Sequence, residues 1–205
     1  MSFQLVNAFD TVAEFERTVA DYYGAPYAVA TDSCTHAMEL CLRLLDCNNI
    51  TVPNHTYVGV PMMLMKLGLD WQWLHEPWQQ YYTLGNTPVI DAAVYWQEGG
   101  YIADSYMCLS FQYKKHLSLG RGGMILLNNA EHAETLQKMS YDGRARNQPW
   151  GDQLINILGY HYYMTPETAA IGLQKFPRVV ANAPVTRSDN NYPDLIRMPI
   201  FNNAR

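Results

Sequence analysis

Short apolar runs that read as strands alternate with segments of helical period along most of this chain, and that alternation constrains the fold more than any other feature. Residues 11–23 predict a helix. Thr11 and Glu14 form a capping box, Val12, Phe15, Val19 and Tyr22 recur at helical spacing, and Gly24 ends it. "YAVAT" at 27–31 is a short buried strand, and "SCTHAMELCLRLLD" after it is a helix with Ala37, Leu40, Cys41, Leu44 and Leu45 on one face. "NITVP" is a strand closed by Pro53. "YVGVPMMLMKLG" is a helix despite Gly59 and Pro61, and "LDWQWL" is a strand. Further strands are expected at 87–93, ending at Asp91, and at 105–111 and 122–129. Residues 129–140 and 165–176 are helices, the second with Thr165 as N-cap and Pro166 at its first position. The expected fold is α/β: three layers, α/β/α, around a mostly parallel sheet. In such sheets ligands sit beyond the carboxyl ends of the strands. The tail from 177 to 205 is polar and rich in Pro and Asn, and is expected to be extended or packed on a partner.

Composition removes several function classes. Hydrophobic residues make up 48% of the 205 and charged residues 16%, which supports a sizeable core and argues against disorder. The formal net charge of -5 disfavours nucleic acid and anionic membrane as partners. No cysteine pair has CxxC spacing, so no metal site is expected. "MSFQLVNAFD" lacks the basic and apolar regions of a signal peptide, and no apolar run is long enough for a bilayer; the expected compartment is the reducing cytoplasm.

Four features fall where strands end. "TDSCTHA" turns from strand to helix, and Ser33, Cys34 and Thr35 there can present hydroxyls and backbone N–H groups to a phosphate. An ordinary N-cap explains the same residues. Asp91 closes an apolar strand and could pair with a cationic ligand nitrogen or merely cap a turn. "PNHTYVG" places His55 and Tyr57 just past a strand, where an aromatic could stack on a flat ring and a histidine could be simply solvated. "SFQYKKHLSLGRGG" carries Ser110, Lys114 and Lys115 into a glycine-rich loop. A lysine can form a Schiff base with an aldehyde, and one of these two is surface charge. A phosphate turn, a stacking aromatic, an acid for a ring nitrogen and a lysine for an aldehyde together fit pyridoxal 5'-phosphate (PLP).

These segments also resemble a family, the sugar aminotransferases of the DegT/StrS type, which are fold-type I PLP enzymes. "FERTVADYYGAPYAVATDSCTHAMEL", "ITVPNHTYVGVPMMLMKLG", "VIDAAVYW", "SFQYKKHLSLGRGGMILLNN" and "LGYHYYMTPETAAIGLQKF" are similar to its motifs, collinearly from about Phe15 to Phe176. The resemblance implies an aspartate-aminotransferase-like large domain over 1–176. The family's lysine lies five residues after the serine of S-F, which is Lys115 here. Asp91 takes the pyridine-nitrogen role, Ser110 with Ser33, Cys34 and Thr35 the phosphate role, and Tyr57 the stacking position. His161 stands where the family has an asparagine that reaches the partner subunit's phosphate. The implied activity is transfer of an amino group from glutamate or glutamine to a keto-sugar, nucleotide-linked and destined for polysaccharide, in a homodimer with a shared active site.

The chain departs from the pattern in several places. Cys34 stands in a glycine position, Val94 follows D-A-A, Arg121 replaces the acid of G-E-G-G and Tyr163 replaces an arginine. About a dozen residues separate "GLDWQWL" from "VIDAA", an ordinary loop length where the family has further elements. Set against the family, the small C-terminal domain is expected to be largely absent. These losses fit a second function, a PLP or sugar-nucleotide binder without turnover that acts as a regulatory subunit, and the resemblance also admits a third, a PLP-dependent sugar dehydratase. The dehydratases carry histidine in place of the lysine, which Lys115 opposes.

Overall fold

The computed structural model describes residues 7–146 and 148–201. The first six residues, part of the stretch read as lacking a leader, and residues 202–205 of the tail lie outside the described residues. In chain order the elements are α1 Phe9–Tyr23, β1 Tyr27–Thr31, α2 Cys34–Leu44, β2 Ile50–Pro53, α3 Gly59–Leu67 and β3 Trp71–Leu74. There follow β4 Tyr82–Thr83, β5 Val89–Asp91, β6 Tyr106–Ser110, β7 Gly123–Leu127, α4 Ala130–Ser140 and α5 Pro166–Val180.

The main sheet runs β1-β7-β6-β5-β4, and β2 pairs with β3 in a separate two-stranded parallel sheet. The expectation of a mostly parallel sheet is corrected. Only β5 and β6 are parallel neighbours in the main sheet, whereas β1/β7, β6/β7 and β4/β5 are antiparallel. The reason lies in the connections. A parallel neighbour needs a long crossover, and β6 reaches β7 through the loop at 111–122 with no helix in it. β4 reaches β5 through residues 84–88, which likewise permits only a hairpin. Because β7 is inserted between β1 and β6, those two strands still run the same way. β1, β5 and β6 therefore all deliver their carboxyl ends to one edge of the sheet.

Strand side chains alternate between two cores, as period 2 requires. Met107, Leu109, Met124 and Leu126 face a layer containing Val12, Phe15, Val19 and Ala169 of α1 and α5. Cys108, Ile125 and Leu127 face Ala37, Leu40, Val60 and Leu136 of α2, α3 and α4. The result is the expected three-layer α/β/α arrangement. Glu16 of α1 ties the first layer to the sheet. Its buried carboxylate accepts from the Ala30 N–H at 2.7 Å and from Arg146 at 2.9 Å.

Two local expectations are revised. Helix α1 begins at Phe9, with no side-chain bond at its N-cap residue, Ala8, so Thr11 and Glu14 form no capping box. The Asn7 side chain accepts from the Phe9 N–H at 3.0 Å and starts the helix one turn earlier. Helix α5 passes Phe176 and Pro177 and ends only at Val180. The chain after it, as far as residue 201, carries three short 3₁₀ turns, at Asp189–Asn191, Leu195–Arg197 and Pro199–Phe201. It folds back over β2 and β3, burying Leu195 and Phe201 in the core, with Phe201 set edge-on to Trp71 and Trp73.

Candidate active site

The edge where β1, β5 and β6 end opens into a cavity of about 640 Å³, within the range of small-molecule sites. Seven of the eight residues expected from the sequence line it: Ser33, Cys34, Thr35, Tyr57, Asp91, Ser110 and Lys115. His161 does not. It lies at the surface, paired with Asp142 at 3.1 Å. His55 is also outside, its Nδ1 2.9 Å from the Tyr192 carbonyl oxygen.

Ser33 is the N-cap of α2, and its hydroxyl accepts from the His36 N–H at 3.2 Å. The N–H groups of Cys34 and Thr35, in the first turn, have no partner within the helix and form an anion-binding end. Cys34 fits its position without strain. It is the first residue of α2, and its buried thiol points into the core and donates to the Cys108 carbonyl at 3.2 Å. Burial pushes this thiol well above the ordinary cysteine range. The turn is held against the sheet by Gly123, which pairs with both Thr31 and Ser110. A Cβ on Gly123 would stand 2.3 Å from the Ser33 carbonyl carbon and 2.5 Å from the Cys34 nitrogen.

Asp91 ends β5 and is buried at 6% exposure. Its Oδ2 accepts from the Tyr82 hydroxyl at 2.6 Å and its Oδ1 from the Ala93 N–H at 2.9 Å. Lys114 and Lys115 differ. Lys114 is exposed, its Nζ 5.4 Å from the centre of the Tyr113 ring, while Lys115 is half-buried. Among the described residues, the Lys115 amine has no carboxylate within ion-pair distance. Burial raises the Asp91 pKa and lowers that of Lys115, each toward its neutral form. The attraction between the two charges opposes both shifts and is outweighed by loss of water.

Several pocket residues were not foreseen from the sequence. Arg121 pairs with Asp32 at 2.6 Å, and Asp32 also meets His36 at 2.6 Å. The Arg121 guanidinium offsets an acid that would otherwise repel an anion at the α2 N-terminus. Arg187, Asn191 and Tyr192 come from the tail and line the cavity mouth. Burial, with the charge of Asp91, pushes the Tyr192 hydroxyl up to about 12. Their only sequence signal is a cluster of polar residues without periodicity. Among the described residues, no group of three or more His, Cys, Asp and Glu could hold a metal ion, and no helix is long and apolar enough to cross a membrane.

Comparison with known proteins gives this geometry its context. Residues 2–75 and 93–190 match the model of the DegT/DnrJ/EryC1/StrS aminotransferase family. The chain belongs to this family. No curated protein matches. Among solved structures, AtS13 from Actinomadura melliaura aligns with a TM-score of 0.73 at 22% identity, over 83% of this chain and 60% of that one. The sugar aminotransferase CalS13 from Micromonospora echinospora gives 0.66 at 18% identity, over 83% and 61%. A 3-amino-5-hydroxybenzoic acid synthase gives 0.70 at 22% identity, over 84% and 56%. The chain thus spans about three fifths of the length of these structures, and at these identities the likeness is one of fold. The segment between the two matched stretches, 76–92, contains Asp91. Its position in the pocket rests on the pairing of β5 with β6, where Asp91 stands opposite Cys108.

Proposed function

We propose that this family member binds PLP and transfers an amino group from glutamate or glutamine to a nucleotide-linked keto-sugar, in the cytoplasm and as a homodimer. The observation that carries this is one pocket holding a half-buried lysine amine without an ion-pair partner among the described residues, a buried carboxyl and the N-terminus of α2. Each meets one need of PLP: aldehyde, ring nitrogen and phosphate. Bound PLP supplies an aldehyde that condenses with primary amines and a protonated ring that draws electron density from the donor's Cα.

The chain's own groups do the rest. Ser33, Thr35 and Ser110, with the N–H groups of α2, hold the phosphate. Asp91, kept in place by Tyr82 and Ala93, stabilises a proton on the ring nitrogen. Tyr57 stacks on the ring. Lys115 Nζ would hold the PLP aldehyde and, once freed, would take the proton from the donor's Cα, a task its lowered pKa suits. Water would supply the oxygen of the donor's 2-oxo acid product, and the amino group would pass to the sugar carbonyl, whose oxygen would leave as water. His161, exposed at the surface beside Asp142, would reach the phosphate of a second copy.

L-Glutamate is expected to bleach the yellow band of the PLP-loaded protein with formation of 2-oxoglutarate, and a nucleotide-linked keto-sugar to restore it. A band that neither glutamate nor glutamine alters would favour binding without turnover.

A pH dependence follows from the charges around Lys115. Capture of PLP needs the neutral amine, so its rate rises with pH, with a midpoint below the ordinary lysine value of 10.5. The Asp91 charge raises the Lys115 pKa and the Arg187 charge lowers it. Asp91→Asn therefore moves the midpoint down and Arg187→Gln moves it up, read from the rate of band formation against pH. Shifts in the same direction would contradict this arrangement of charges.

A further inference from the structure

The returning tail lines the pocket with Arg187, Asn191 and Tyr192, and its backbone is fastened on both sides of Arg187. The Val185 N–H donates to His116 Nε2 at 2.9 Å, and the Gln80 N–H donates to the Arg187 carbonyl at 2.8 Å. Ser188 bridges Gln79, and the Asp189 N–H donates to the Trp78 carbonyl at 3.2 Å. The side chain is steered as well, because Arg187 Nη2 donates to the Lys114 carbonyl at 2.9 Å. A guanidinium has five N–H donors, and this bond uses one. Among the described residues Arg187 has no carboxylate within ion-pair distance, unlike Arg121, the other arginine lining the pocket, which is paired with Asp32. Its charge acts on Lys115, His116 and Tyr192.

We propose that Arg187 binds the α-carboxylate of the amino donor, which makes the tail this chain's donor-recognition element. The inference rests on the aminotransferase reading. The donor's nitrogen must take the place of the Lys115 amine, and its carboxylate is attached to the carbon next to that nitrogen. The cation that reads the carboxylate must therefore stand beside Lys115 at the pocket mouth, where Arg187 is. The diphosphate of a sugar nucleotide is separated from the reacting carbonyl by more of the sugar ring and falls farther out. The planar fork of arginine also matches a carboxylate by two parallel hydrogen bonds.

The test compares wild type, Arg187→Gln and Arg187→Lys as PLP-loaded full chains. L-Glutamate and its α-amide, L-isoglutamine, are titrated against band bleaching and by calorimetry. Once fully loaded with PLP, Arg187→Gln is expected to need roughly 10- to 100-fold more L-glutamate than wild type, the loss typical of a hydrogen bond to a charged group. Arg187→Lys should recover part of that loss. Wild type should discriminate against the α-amide by a similar factor, and Arg187→Gln should not. Equal half-saturation by L-glutamate in wild type and Arg187→Gln overturns the assignment while leaving the aminotransferase reading in place. So does an effect confined to half-saturation by the sugar nucleotide. A wild-type band that no amino acid alters overturns the aminotransferase reading, and this assignment with it.

Discussion

Lys115→Ala is expected to lose the visible band of lysine-bound PLP and nearly all amino transfer, whereas Lys114→Ala keeps the band. The two neighbours differ in setting. Lys114 is exposed beside Tyr113, while Lys115 lies inside the cavity with Asp91 and the α2 turn. Loss of the amine removes both the covalent hold on the cofactor and the base at the donor's Cα. General acid–base catalysis alone contributes roughly 100- to 10,000-fold, so turnover should fall at least that far. Spectra and initial rates of the two variants check this. Retention of the band by Lys115→Ala would show that another amine does the work.

Gly123→Ala is expected to lower stability sharply. The added methyl would meet backbone atoms of Ser33 and Cys34 at 2.3 and 2.5 Å, and neither is the tip of a flexible side chain. Relief requires β7 or the α2 turn to move, and both are fixed, since Gly123 sits in register between Thr31 and Ser110. Overpacking against backbone should cost about 3 kcal/mol or more, which lowers Tm by roughly 6–12 °C in a chain of this size. The same movement displaces the phosphate-binding N–H groups, so PLP affinity should weaken in the folded fraction. Gly151→Ala is the control, because nothing lies within 4 Å of a Cβ there. Thermal melts of both variants test the point, and an unchanged Tm for Gly123→Ala would contradict it.

Residue patterns carried the element order because each helix and strand buries one face. The apolar positions of α1 and α2 and the unbroken runs of β6 and β7 follow directly from that demand. Strand direction was less legible. Helix–strand alternation in the first third suggested a parallel sheet, yet the helix-free loop at 111–122 forces β6 and β7 into a hairpin. β4, only two residues long, escaped notice because so short a strand has no periodicity to show.

The site was legible where its residues sit at strand ends. The turn at Ser33, Asp91 at the end of β5 and the lysine after β6 meet because β1, β5 and β6 run in one direction. The contributions of Arg187 and Tyr192 could not be read in the same way. They arise from contacts of the tail with residues 78–80 and with His55, Lys114 and His116, far away in the chain. The pairing of Arg121 with Asp32 also depends on the fold, which brings the lysine loop beside the α2 turn.

The central claim is that Lys115 holds PLP in this pocket. The most direct measurement is borohydride reduction of the PLP-loaded protein, followed by peptide mass spectrometry to locate the pyridoxyl group. The account predicts a single label on Lys115, absent from Lys115→Ala. A label on Lys114, a label scattered over surface lysines, or none at all would contradict it.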